Sequence, residues 1–85
     1  MNTYCPVCGF DLGFLSWEGD SPSDEICPSC GIQYGYDDVA GGDVKQRKEV
    51  YSKWRETWIK NGHSWFSQNK QPKDWNPVKQ LERVI

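Results

Sequence analysis

Cys5-Pro6-Val7-Cys8-Gly9-Phe10 is answered twenty-two residues later by Cys27-Pro28-Ser29-Cys30-Gly31-Ile32, and the two hexapeptides hold all four cysteines of the chain. Both read Cys-Pro-x-Cys-Gly-apolar. Two C-x2-C pairs separated by roughly fifteen to twenty residues are the spacing of zinc sites built from two loops. For two sulfurs of one pair to reach an ion about 2.3 Å from each, the backbone between them must turn sharply. Pro6 and Pro28 preset φ after the first cysteine, and Gly9 and Gly31 tolerate φ > 0 after the second. The expected site is one structural Zn2+ held by Cys5, Cys8, Cys27 and Cys30. Four protein ligands leave no position for water or substrate, so such a site supports a shape and activates no nucleophile.

Other uses of the cysteines fit less well. A thioredoxin-like redox pair needs one C-x-x-C at the start of a helix, whereas both pairs here run into Gly-apolar turns. Disulfides suit secreted proteins. The phrase C-P-x-C-G also resembles the iron knuckle of rubredoxins, which makes a rubredoxin-like electron carrier the lesser alternative; rubredoxins hold a longer segment between their pairs. His63, the only histidine, is surplus to four thiolates and reads as a turn residue after Gly62.

With 85 residues the chain suits a single domain, 1–85. A domain of this size buries only about 60 % of its unfolded surface and needs a staple, which a metal and five tryptophans would supply. The start, MNTYCPV, has neither the basic residues nor the apolar run of a secretory signal, and no stretch approaches a membrane span, so a cytoplasmic location is expected. In that reducing setting paired cysteines are metal ligands or redox groups before they are disulfides.

The net charge of −2 conceals a division. Residues 1–43 carry eight carboxylates and no Lys or Arg; residues 44–85 carry ten Lys and Arg against four carboxylates. Either the halves face and partly neutralise each other, or a polarised surface attracts a charged partner.

Three segments follow. Residues 1–42 are expected to form a zinc ribbon, with strand-like stretches at Tyr4, at Phe10 to Leu15 and at Ile32 to Tyr36, joined by a polar turn from Glu18 to Glu25. Asp37, Asp38 and Asp43 lack the spacing of a calcium loop and read as the approach to a helix. That helix occupies 43–62: Asp43 is the N-cap, with Gln46 completing a capping box, and Gly62 is the stop. Val44, Val50, Tyr51, Trp54 and Trp58 share one face, which should lie on the ribbon. Arg47 falls within that stripe, where it can reach a carboxylate or stack on a ring. In 63–85 a loop with Trp65, Phe66 and Trp75 leads to a short helix opened by Asn76-Pro77 and running through Leu81 and Val84. The fold class is thus small α+β: an N-terminal zinc ribbon of two CPxCG knuckles against an amphipathic helix and a short final helix.

Most tryptophans are expected in the core, although exposed ones can stack bases. Nucleic acid would have to bind through Lys45, Lys48, Lys53, Lys60, Lys70 and Lys73, because the cysteine half has no cation for phosphate. An HNH nuclease needs more than one histidine. No Gly-rich phosphate loop, free cysteine or enclosed carboxylate pair is visible, and the chain does not read as an enzyme.

The YCPxCG start, the ICPxCG repeat leading into IQYGYDD, and the tail WIKNGHSWFSQNKQPKDWNP together resemble small bacterial cysteine-rich proteins of the CPCC type. Here the knuckles are CPVC and CPSC, without the third cysteine of that pattern. Since some such proteins look like neighbours of toxin genes, the resemblance implies an immunity or toxin-binding role. An acidic ribbon face of Glu18, Asp20, Asp24, Glu25, Asp37 and Asp38 would suit a basic partner such as a nuclease toxin. The expected function is a structural-zinc protein-binding module; the alternative is a nucleic-acid-binding zinc ribbon using the basic helical half.

Overall fold

The computed structural model describes residues 2–85; Met1, the first residue of the expected 1–85 domain, lies outside the described residues. The chain is a small α+β protein. Two short antiparallel strands, β1 (Trp17–Glu18) and β2 (Ser21–Pro22), come first. A 3-10 turn at Ala40–Gly42, helix α1 (Val44–Lys60), a second 3-10 turn at Gln68–Lys70 and helix α2 (Pro77–Leu81) follow.

The two cysteine loops fold alike, bond for bond. Cys5 N–H donates to the Phe10 carbonyl at 2.8 Å and Cys27 N–H to that of Ile32 at 2.9 Å. Gly9 N–H and Gly31 N–H return to the carbonyls of Cys5 and Cys27, both at 2.9 Å. The likeness extends beyond the hexapeptides. Leu12 N–H meets the Thr3 carbonyl at 2.8 Å, and Tyr34 N–H, twenty-two positions later, meets that of Glu25 at 3.1 Å. Gly13 and Gly35 then turn both chains away at φ of +79° and +85°. The structural repeat therefore spans residues 3–13 and 25–35.

Those turns explain a difference from the expected strands. Around each loop the backbone pairs only as a single bridge, Tyr4 with Asp11 and Ile26 with Gln33, because the glycine two residues after Asp11 and Gln33 ends the ladder. The regular strands instead lie at the edge of and within the supposed polar turn, where Gly19 at φ +58° allows Trp17–Glu18 to pair with Ser21–Pro22.

Helix α1 starts and stops where its caps dictate. Asp43 Oδ1 accepts from Lys45 N–H at 2.9 Å and Gln46 N–H at 3.3 Å. The reciprocal half of the capping box is replaced, since Asp43 N–H donates to the Ala40 carbonyl. At the other end Gly62, at φ +83°, donates to Ile59 and His63 to Trp58, the paired bonds of a left-handed helix stop. Tyr51 and Trp58 are buried and Val50 and Trp54 partly so, but Val44 is exposed. Its neighbours Ala40, Gly41 and Gly42 offer no bulk to cover it. In α2 the Asn76 side chain accepts from Val78 and Lys79 N–H with Pro77 first in the helix; regular α-helix ends at Leu81, and Val84 lies in the turns beyond.

The core gathers the four cysteines with Val7, Ile32, Tyr34, Tyr51, Trp58 and Leu81. Helix α2 closes it from the tail, with the Gly9 backbone pressed on Gln80. A Cβ at Gly9 would lie 2.0 Å from the Gln80 carbonyl oxygen, at φ +82°. Gly9→Ala is expected to destabilise by clearly more than the ~1–2 kcal/mol of a left-handed backbone. Gly13→Ala, at φ +79° with nothing within 4 Å, should lose no more than that conformational component. Urea unfolding of the two variants measures the gap; equal losses would contradict the close packing of α2.

Candidate metal centre

Cys5, Cys8, Cys27 and Cys30 place their sulfurs within 4.8 Å of one another. The two matched loops oppose each other so that close sulfur pairs cross between them: Cys5 to Cys30 at 3.7 Å and Cys8 to Cys27 at 3.8 Å. Three of the cysteines are completely buried and Cys30 nearly so. Four convergent soft donors can hold one metal ion with every tetrahedral position filled by protein.

Cys5, Cys8 and Cys30 lie close enough to bias one another's protonation. Burial alone would raise Cys5, but hydrogen bonds from Cys27, Cys30 and Cys8 outweigh it and hold its thiol well below the ordinary range. The bond with Cys27 raises Cys8, and burial, followed by the bond with Cys27, raises Cys30. A cation bound to all four sulfurs would displace their protons. Tyr34 contributes a further sign of fit. Its fully buried hydroxyl has no hydrogen-bond partner among the described residues, and burial together with the charges on Cys5 and Cys27 keeps it protonated, as a donor beside the cluster.

His63 is not among the clustered donors. Its ring stands edge-on to Trp58 at 4.9 Å, within an aromatic group that continues through Trp75 and Trp65 to Phe10. Four of the five tryptophans act as internal ties: Trp17 donates to Asp38, Trp54 to the Cys30 carbonyl, Trp58 to the Ser64 carbonyl and Trp75 to Gln80 Oε1. Gln80 in turn reaches Ser29 Oγ at 3.1 Å, linking α2 to the second loop.

The expected acidic face divides. Glu18, Asp20, Asp24 and Glu25 are exposed, and Asp37 is half-buried with Oδ2 accepting from Gln33 N–H at 2.8 Å. Asp38 does not belong to it. It is 0 % exposed; Oδ2 accepts from Trp17 Nε1 at 2.8 Å and Tyr51 Oη at 2.7 Å, and Oδ1 from Gly35 N–H at 2.7 Å. Three internal donors converge there, so the carboxylate is a structural hub and not a contact residue. No feature of the Asp37-Asp38 pair itself distinguishes the two.

The cations also divide. Lys45, Lys48, Lys53, Lys60, Lys70 and Lys73 are exposed. All three arginines instead dock on backbone carbonyls: Arg47 on Asp38, Arg55 on Pro6 and Val7, and Arg83 on Gly9. Arg47 additionally stacks on Trp17, 3.7 Å from the ring centre, fulfilling the ring option of its stripe position. The basic half meets the acidic half largely through main-chain oxygens, a use of arginine that residue charges alone do not reveal.

Comparison with protein-family models, curated proteins and solved structures finds no match for this chain. No described helix is long and apolar enough to cross a membrane.

Proposed function

We propose that the chain is a protein-binding module whose fold is stapled by one Zn2+ on Cys5, Cys8, Cys27 and Cys30, arranged as a zinc ribbon. The observation that carries the reading is the spacing of the sulfurs. A tetrahedron with sulfurs about 2.3 Å from zinc has edges of about 3.8 Å, against cross-loop separations of 3.7 and 3.8 Å. A closed, buried set of this kind supplies rigidity, and function then belongs to the surface that it holds.

Glu18, Asp20, Asp24 and Glu25 are exposed on and beside the β1–β2 hairpin and offer carboxylates to a basic partner. Opposite charge would steer encounter and raise the association rate at low salt. A basic toxin, neutralised by a cognate immunity protein, suits this face and the CPCC-type resemblance. On the helical side Glu49 and Glu56 interrupt the α1 lysines, which favours the protein partner over nucleic acid.

The test is affinity capture from host lysate with the zinc-loaded chain and a Glu18→Lys, Asp20→Lys, Asp24→Lys, Glu25→Lys variant. The expected result is a nuclease-resistant protein retained by the wild type and lost by the variant, with zinc content unchanged. Equal retention by both, or retention abolished by nuclease, would overturn the acidic-face reading.

A further inference from the structure

Pro6 and Val7 lie between the cysteines of the first loop, and Pro28 and Ser29 hold the equivalent places in the second. Each pair of carbonyls meets a two-pronged donor. Arg55 serves the first loop, with Nη2 at 2.9 Å from the Pro6 oxygen and Nε at 2.6 Å from that of Val7. Two successive backbone groups serve the second: Ser67 N–H at 2.9 Å from the Pro28 oxygen and Phe66 N–H at 3.2 Å from that of Ser29. The bonding is equivalent but the charge is not.

That difference runs through each loop's other ties. The first loop receives a second guanidinium, Arg83, on the Gly9 carbonyl. The second receives neutral groups, the Trp54 indole on the Cys30 carbonyl and the Gln80 amide on Ser29. Four thiolates around a divalent ion leave a net negative charge among buried cysteines, where charge without compensation is unfavourable. Of the three arginines, Arg55 alone grips residues between two of the sulfur donors.

We propose that Arg55 is a positioning residue and the counter-charge of the metal centre, fixing the Cys5–Cys8 loop around the ion and offsetting the charge of its thiolates. The inference rests on the four-thiolate metal reading given above. It makes the Pro6 and Val7 carbonyls dependent on one side chain, whereas those of Pro28 and Ser29 are held by backbone groups that substitution of Phe66 or Ser67 by other non-proline residues does not delete.

The experiment compares Arg55→Gln and Arg55→Lys with the wild type, using Arg47→Gln as a control that also loses a carbonyl-docked arginine. Zinc affinity is measured by competition with a chromophoric chelator, and the sulfur-to-metal charge-transfer band is recorded on cobalt-substituted protein. Arg55→Gln should lower zinc affinity about 10- to 100-fold and move the band to lower energy, because the thiolates lose a nearby positive charge. Arg55→Lys should restore the band but only part of the affinity, since an ammonium keeps the charge and lacks the planar fork. Arg47→Gln should leave both readings near wild type. A folded Arg55→Gln protein with wild-type affinity and band would overturn the proposal; if that variant does not fold, wild-type affinity in Arg55→Lys would overturn the positioning role. Failure of the wild-type chain to bind one zinc or cobalt would overturn the metal reading itself, a result separate from the behaviour of the variants.

Discussion

Excess chelator is expected to abolish the near-ultraviolet circular dichroism of the zinc-loaded protein and to reduce its helical signal. The largest fully buried side chains of the cysteine half, Tyr34, Ile32 and Val7, belong to the same cluster as the four cysteines. Each loop is otherwise closed by a single bridge and a few turn bonds, too little regular structure to persist alone. A structural zinc contributes an apparent ~10–16 kcal/mol in small zinc-dependent peptides, against a net stability of ~5–15 kcal/mol for ordinary domains. Removing it should therefore unfold the first forty residues and expose the apolar face of α1. That helix has 17 residues and good caps, so residual helix is expected, at the marginal level of an isolated segment of this length. Near- and far-ultraviolet spectra unchanged in excess chelator would contradict a folding role for the metal.

Asp38→Ala is expected to destabilise the zinc-loaded chain by at least about 3 kcal/mol, because a buried donor without a partner costs roughly 1–3 kcal/mol and three donors would be stranded. Trp17 Nε1, Tyr51 Oη and Gly35 N–H all aim at this one side chain. Tyr51 cannot escape by ionising. Burial, the largest cause of its raised pKa, persists in the variant and keeps it a donor. Asp37→Ala removes only the Gln33 N–H bond at a half-buried position and should cost about 1 kcal/mol. Urea unfolding at neutral pH measures both; equal losses at Asp37 and Asp38 would contradict the hub. The same contrast keeps Asp38 out of any surface experiment, since Asp38→Lys would replace a fully enclosed carboxylate with a cation facing three donors.

What could be read from the sequence is what local rules govern. The cysteine spacing, with proline and glycine at matching places, foretells the converging sulfurs because loop geometry is set within six residues. Asp43, Gly62 and Asn76-Pro77 mark the helix ends because capping is also local. Asp38 escaped that reading since the two side chains that donate to it stand thirteen and twenty-one positions away, although Gly35 N–H is only three away. Arg55 escaped it for the same reason, reaching carbonyls forty-eight and forty-nine positions back that every residue type carries. The β1–β2 pair was hidden in a charged, proline-containing segment with no alternation of apolar residues. Gly13 and Gly35 were visible at the repeat interval, yet only their matching positive φ values show that they end the two loops in the same way.

The most direct test of the central claim is elemental analysis with native mass spectrometry on protein purified under reducing conditions without added metal, combined with thiol titration before and after chelation. The predicted result is one zinc per chain, with four thiols that become reactive only after the metal is withdrawn. Iron at one per chain would transfer the site to rubredoxin-like chemistry. A metal-free chain with four freely reactive thiols would contradict the metal centre on which this reading of the fold rests.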